Sequence, residues 1–191
     1  SDYTYSSGNS IGLVNHFSEY ADNIIQKYNP KKDSLVVDVG SNDGTLLSFF
    51  KKHGLKVLGV DPAREIADRA TSEGIKTLPE FMNTKLSQKI KNEYGLATIV
   101  TANNAFAHGD DLIEMLKSIK SIMRPDGIFI FEVSYLLDVI EKVLLGTIFH
   151  EHHSYHSLKP LVKFMNLFNM EIIDVERITI QGGSLIGTAQ I

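Results

Sequence analysis

Two separated segments carry side chains suited to chemistry. The first is Val36-Val37-Asp38-Val39-Gly40-Ser41-Asn42-Asp43-Gly44, followed by Gly59-Val60-Asp61-Pro62. The second is Thr147-Ile148-Phe149-His150-Glu151-His152-His153-Ser154-Tyr155. A glycine-rich turn after an apolar strand, with an acidic residue about twenty positions on, is the pattern of a nucleoside-binding loop. The second segment holds proton-transfer groups. The chain has seven histidines, and four fall between His150 and His156. Imidazole is the side chain best matched to proton transfer near neutral pH. Glu151 is placed to orient an imidazole or to polarise a substrate oxygen. The pair of segments points to transfer of a group from a nucleoside cofactor to a substrate that first loses a proton.

The loop spacing narrows the ligand. A dinucleotide site has G-x-G-x-x-G, whose middle glycine lets the backbone approach a pyrophosphate. Here Asn42 occupies that middle position, and no glycine lies five residues after Gly40. This fits a ligand without a pyrophosphate, such as S-adenosylmethionine, and disfavours an NAD-dependent oxidoreductase. Gly40 would make the tight turn and Gly44 would open the following helix. Asn42 and Asp43 are candidates for the amino-acid end of the cofactor, and Asp61 for the ribose hydroxyls. Pro62 continues that corner. Phe81 is a candidate platform for adenine, although a lone phenylalanine there also suits ordinary core.

Asn103-Asn104-Ala105-Phe106-Ala107-His108 follows another apolar run. At the carboxyl end of a strand, Asn103 and Asn104 would face the same crevice, with Asn103 a candidate cofactor contact, and His108 could meet the His150–His156 cluster. Helix capping by the asparagines is the competing reading, but Gly109-Asp110 is the better cap. A metal site is the minority reading of the histidines, because His150-Glu151-x-His153 lacks H-E-x-x-H spacing and there is no cysteine.

The elements that must position these groups alternate. Helical apolar spacing runs from Ser10 to Tyr28. Strand-length runs are expected at 35–39, 56–60, 75–78, 96–101 and 128–133. Helices are expected at 45–53, 63–73, 84–92 and 110–123, with a turn at 124–127. After a helix at 158–168, strands at 171–180 and 184–191 flank Gln181-Gly182-Gly183 and predict an antiparallel hairpin. The expected fold is α/β: a mostly parallel seven-stranded sheet with helices on both faces and a C-terminal antiparallel hairpin, the Rossmann-like shape of class I methyltransferases. Residues 1–30 read as a helical lead-in and 31–191 as one globular unit. The 191 residues, 43% hydrophobic and 22% charged, suffice for one core. A net charge of -4 without a basic run argues against a nucleic-acid partner. No apolar run approaches the about 20 residues of a membrane span, and the expected location is the cytoplasm. The expected partner is a small-molecule acceptor.

The chain resembles the sugar C-methyltransferases, which use S-adenosyl-L-methionine to methylate a carbon of nucleotide-linked deoxyketosugars. The resemblance rests on Tyr3-Thr4-Tyr5-Ser6-Ser7-Gly8, Asp38 to Gly44, Ala102 to His108, Phe131-Glu132-Val133, His150 to Tyr155 and Gly182-Gly183-Ser184-Leu185. It implies that His152 is the base, that Glu151, His108 and Asn104 share its site, and that Tyr3 or Tyr5 contacts the sugar. Relatives often carry tyrosine where this chain has Phe149. They also carry a cysteine-ligated zinc domain before this region and a further domain after it, so the expectation is the central domain of a longer architecture. An O-methyltransferase acting on another metabolite and a non-catalytic cofactor-binding domain are the alternatives.

Overall fold

The computed structural model describes residues 7–148 and 154–191. Its strands are β1 (Leu35–Val39), β2 (Lys56–Val60), β3 (Thr77–Leu78), β4 (Ala97–Asn103), β5 (Met123–Ser134), β6 (Glu171–Ile178) and β7 (Ser184–Gln190). The helices are α1 (Ile11–Tyr28), α2 (Thr45–Lys52), α3 (Arg64–Ser72), α4 (Thr84–Tyr94), α5 (Leu112–Ile122), α6 (Leu136–Glu141) and α7 (Leu158–Asn166). The strands form one seven-stranded sheet in the order β3-β2-β1-β4-β5-β7-β6. The β1–β5 pairs are parallel, and β7 runs antiparallel between β5 and β6. Strand order reverses between β1 and β4, so the ligand crevice of such a sheet lies at their carboxyl ends.

The period-two pattern of the strands sorts the core into two layers. On one face Val37, Val39, Val100, Phe129 and Phe131 pack with α4, α5 and α7 through Leu86, Leu116, Ile119 and Met165. On the other, Val36, Ile99, Ile128 and Ile130 pack with α1 and α2 through Phe17, Ile24, Leu47 and Phe50. Each such buried side chain contributes about 1.5–3 kcal/mol relative to exposure.

Several boundaries differ from the sequence reading, each for a local reason. β3 begins at Thr77 because the Ile75 amide instead closes the end of α3 on the Ala70 carbonyl. Arg124 to Gly127 lie within β5 rather than in a free turn. Ala97 pairs with Met123 and Ile99 with Ile128, so four residues bulge opposite one. The cap of α5 is Asp111, whose carboxylate accepts from the Glu114 amide at 2.9 Å, and not Gly109-Asp110. The six-residue α6 is too short to show a helical period in the sequence.

Two polar anchorages fix the pieces that flank the crevice. Along α1, His16 Nε2 meets Glu132 Oε2 at 2.6 Å, Tyr20 donates to Asn103 Oδ1 at 3.1 Å, and Lys27 meets Asp174 at 2.5 Å. At the hairpin, Arg177 donates two hydrogen bonds, both 2.9 Å, to the buried Asp138 carboxylate, with Lys142 at 2.6 Å from it. Arg177 first and Lys142 second hold the Asp138 carboxyl down at about 2. Gly183, at φ +149, turns the chain against Asp138, where a Cβ would lie 2.3 Å from the carboxyl carbon.

The His16–Glu132 pair makes stability pH-dependent. Burial lowers the His16 pKa, but the hydrogen bond and charge of Glu132 outweigh it, and the net shift is upward from 6.5. A raised imidazole pKa contributes stability that is complete below the unfolded value and is lost as pH rises through the folded one. Urea denaturation of wild type and His16→Gln is therefore expected to show a stability gap that is widest near about pH 5.5 and narrows by about pH 9. A gap independent of pH would mean that the imidazole is neutral in the fold.

Candidate functional site

The cofactor-type loop is built by strand ends and hydrogen bonds rather than by flexible glycines. The amides of Gly40 and Ser41 both donate to the Val60 carbonyl at the end of β2, at 2.8 and 3.1 Å. The Asn42 amide donates to Asp61 Oδ2 at 2.8 Å, the Asp43 amide to Asn42 Oδ1 at 2.9 Å, and the Gly44 amide to the Ser41 carbonyl at 3.0 Å. Asn42 takes the left-handed conformation that asparagine tolerates, at φ 50. Gly44 is also left-handed (φ 78), and Ile75 lies 2.8 Å from where its Cβ would be, so no other residue fits there without a shift. Every backbone N–H from Gly40 to Gly44 thus has a protein partner. A pyrophosphate cradle needs such groups pointing outward. The loop does not offer them, and its construction suits a nucleoside without a pyrophosphate.

Asp61 is 7% exposed and has a structural task. Its Oδ2 accepts from Asn42 and its Oδ1 from the Ala63 amide at 2.9 Å. Burial raises its pKa, opposed by these two amides, and the Asp43 charge adds to the rise. Each carboxylate oxygen retains a second lone pair, which is what a vicinal diol requires. Pro62 is exposed at the same corner. Phe81 is 71% exposed beyond β3, so it is not core and its ring face is open to a flat ligand.

The Asn42 and Asp43 side chains face the start of the chain. Asn42 Oδ1 accepts from the Ser7 amide at 3.0 Å, and Asp43 Oδ2 from the Gly8 amide at 2.8 Å. Asp43 Oδ1 caps α2 through the Thr45 amide (3.1 Å) and hydroxyl (2.6 Å). These contacts, invisible in the sequence, give both residues a role in the fold beside any contact with a ligand.

Asn103 ends β4 opposite Glu132. Its carbonyl oxygen faces α1, where Tyr20 donates to it, so it is not free as expected. Asn104 is left-handed (φ 56), and its amide donates to the Glu132 carbonyl at 2.7 Å. The helical turn Phe106–His108 follows. Phe106 is buried against Phe129 and Phe131, both 5.8 Å between centroids, which fixes the turn, while His108 is exposed at its end. Ser154 Oγ donates to the Phe106 carbonyl at 3.3 Å and meets His156 Nε2 at 3.0 Å. The chain that leaves the His-Glu-His segment therefore docks on the turn that carries His108. Just after β5, the Leu136 amide donates to the His156 carbonyl at 2.8 Å and so ties the chain that leaves β5 to the chain that enters α7. Tyr3, Tyr5, Glu151 and His152 lie outside the described residues. Among the described residues no group of three or more His, Asp or Glu side chains is arranged to hold a metal, and no helix is long and apolar enough to cross a membrane.

A buried acid on β1, beside the loop, escaped the sequence reading. Asp38 accepts from Thr101 Oγ1 at 2.6 Å. Burial pushes its carboxyl up to about 7, against the Thr101 hydrogen bond and with help from the Asp61 charge. A carboxylate in the otherwise apolar run Leu35–Val39 was the available signal.

Comparison with known proteins agrees with this geometry. Residues 14–175 match the family model described as "Methyltransferase domain". The chain belongs to that methyltransferase family and has the class I S-adenosylmethionine-dependent fold. Among curated proteins, the C-methyltransferase NovU of Streptomyces niveus is 33% identical over 96% of this chain and 44% of its own length. A ubiquinone biosynthesis O-methyltransferase of Actinobacillus pleuropneumoniae is 26% identical over 65% of this chain and 56% of its own. The chain thus spans about half the length of these relatives. Magnesium protoporphyrin IX methyltransferase from Synechocystis, solved with bound S-adenosylhomocysteine, shares the fold at a TM-score of 0.69 and 18% identity, over 94% of this chain and 83% of that one.

The Asp61 contacts predict a double effect. Asp61→Ala leaves the amides of Asn42 and Ala63 without acceptors and is expected to cost about 1–3 kcal/mol of stability as well as cofactor affinity. Asp61→Asn keeps one acceptor and is expected to fall between. Thermal unfolding with and without S-adenosylhomocysteine separates the two losses. An Asp61→Ala protein as stable as wild type would contradict the loop tie.

Proposed function

We propose that this chain is the catalytic domain of an S-adenosylmethionine-dependent C-methyltransferase acting on a nucleotide-linked ketosugar. The observation that carries the reading is the docking of the Ser154–His156 limb on the Phe106–His108 turn, beside a loop unsuited to pyrophosphate. It supports bringing the candidate proton-transfer groups together at the carboxyl ends of β4 and β5. The motif resemblance and the C-methyltransferase name of a 33% identical relative support the acceptor class.

Gly40 to Gly44, Asp61, Pro62, Phe81 and Asn103 would hold the cofactor, which supplies an electrophilic methyl group when bound. A ketone acidifies the adjacent C–H. His152 takes that proton, and the C–H electron pair becomes the enolate. Glu151 orients the imidazole. Glu151 and Asn104 polarise the carbonyl, a task that the Phe149 ring cannot perform, and His108 is the second candidate for the base. Tyr3 or Tyr5 contacts the sugar. The cofactor, held by the residues named for it, would supply the methyl group that the enolate carbon takes and would be released as S-adenosylhomocysteine.

The test is methyl transfer from labelled cofactor to a panel of ketosugar nucleotides, with the product's new bond assigned by NMR. A methyl group on carbon is expected, and a methyl on oxygen would favour the O-methyltransferase reading that the ubiquinone-pathway relatives raise. His152→Ala is expected to bind S-adenosylhomocysteine as wild type does and to lose about 10²–10⁴-fold in kcat. Near-normal turnover would remove His152 as the base.

A further inference from the structure

Two buried polar atoms on neighbouring strands have no hydrogen-bond partner among the described residues: Asn103 Nδ2 at the end of β4 and Glu132 Oε1 on β5. Asn103 and Glu132 are register partners in a parallel pair, so their side chains leave the same face of the sheet. The Asn104 amide, on the Glu132 carbonyl at 2.7 Å, carries this pairing to the strand end. The other half of each side chain is already bound to α1. His16 Nε2 meets Glu132 Oε2 at 2.6 Å, and Tyr20 donates to Asn103 Oδ1 at 3.1 Å. Both side chains are thus fixed in place, with one donor and one acceptor left over. The strands on either side do not complete them. On β7 the residue opposite Glu132 is the apolar Ile186. On the other side β1 runs from Asp38, paired with Thr101, to Gly40, which has no side chain. Glu132 is 1% exposed, and unpaired polar atoms at such depth are rare and destabilising.

The chemistry of the pair defines its occupant. Neighbouring strands lie about 4.8 Å apart, and two hydrogen bonds that meet at one oxygen span up to about 6 Å. A single oxygen that accepts from the amide and donates to the carboxylate completes both atoms, and a hydroxyl is such a group. A carbonyl, carboxylate or phosphate cannot donate, and an ammonium cannot accept. Position points to the acceptor. Asp61, at the end of β2, is the candidate for the ribose diol, and β5 lies three strands along, about 14 Å of sheet. At the carboxyl ends of β4 and β5 the Ser154–His156 limb docks instead on the Phe106–His108 turn. We propose that Asn103 Nδ2 and Glu132 Oε1 bind one hydroxyl group of the methyl acceptor, with His16 and Tyr20 as positioning residues that hold the two side chains for it. This rests on the methyltransferase reading above. Asn103 then borders both ligands, the cofactor on its β1 side and the acceptor on its β5 side. An acceptor without that hydroxyl leaves both protein atoms unpaired and is rejected.

The test uses the full chain with S-adenosylhomocysteine bound and a panel of nucleotide-linked hexoses, each with analogues that lack one ring hydroxyl. The Asn103 side-chain amide is followed by NMR. It is expected to shift on titration with a hexose that binds, and one analogue is expected to bind about tenfold more weakly or worse while the others stay within about threefold. Glu132→Gln keeps an oxygen for His16 and turns an N–H2 toward the Asn103 N–H2. It is expected to bind the parent hexose about as weakly as wild type binds that analogue, with no further loss for the analogue itself. A merely structural lesion would weaken parent and analogue alike. The S-adenosylhomocysteine Kd of Glu132→Gln is expected to stay within about threefold of wild type. Analogues that all bind as their parents do, or an Asn103 amide unmoved by every hexose, would leave the two atoms to a buried water only and overturn the proposal. A rise of about tenfold in the S-adenosylhomocysteine Kd would also overturn it, because the cofactor's amino-acid end would then occupy the pair. The analogue series on wild type decides the matter if Glu132→Gln does not fold. Absence of S-adenosylhomocysteine binding by wild type would instead sink the methyltransferase reading, and the Asn103 amide titrated with the hexoses alone would still report on the hydroxyl site.

Discussion

The tie between Asp61 and the Asn42 amide is the contact on which the site's architecture depends. It joins the end of β2 to a loop that leaves the end of β1, across the corner where a nucleoside would lie. With the Val60 carbonyl taking two further amides, it holds the loop closed and directs its N–H groups inward. A glycine-rich turn built this way differs in kind from a phosphate cradle, although the two look alike as strings of residues. The difference is one of hydrogen-bond accounting, since buried amides are nearly always paired and a group paired inside is not offered to a ligand.

Around that corner the molecule uses charge and aromatic packing to hold the pieces that approach from afar. The α1 helix lies on the sheet through an apolar stripe, but its register is set by His16 on Glu132 and Tyr20 on Asn103. The excursion after β5 is pinned at its base by Leu136 and His156 and beside it by Asp138 on Arg177. Phe106, locked among Phe129 and Phe131, gives that excursion a surface on which to land. The segments that the motif resemblance marks are therefore also seats of long-range contacts: Gly8 against Asp43, Glu132 against His16, Gly183 against Asp138.

The sheet and its order of elements were legible in the sequence because the strands are continuous apolar runs and the helices show clear periods. The hairpin was legible from Gly182-Gly183. What escaped is what depends on partners distant in the chain. The turn residues Arg124 to Gly127 gave a correct local signal, but pairing of Met123 with Ala97 draws them into the strand as a bulge. The Asn103 side-chain oxygen reads as free until Tyr20 is seen, 83 residues away, whereas its Nδ2 has no hydrogen-bond partner among the described residues. Asn42 and Asp43 read as ligand contacts, and only the fold brings Ser7 and Gly8 to them. Phe81 was ambiguous between core and platform, and its exposure settles only that it is not core. Of the candidate site, Gly40, Gly44 and Asp61 were marked by spacing alone, whereas Asp38 needed the structure to be noticed as a buried acid.

The most direct measurement is calorimetric titration of the purified chain with S-adenosylhomocysteine and with NAD in parallel. A loop whose amides all point inward is expected to give saturable binding of S-adenosylhomocysteine and none of NAD. Saturable binding of NAD in preference would contradict the account, because the dinucleotide would have to find phosphate ligands where this loop presents none.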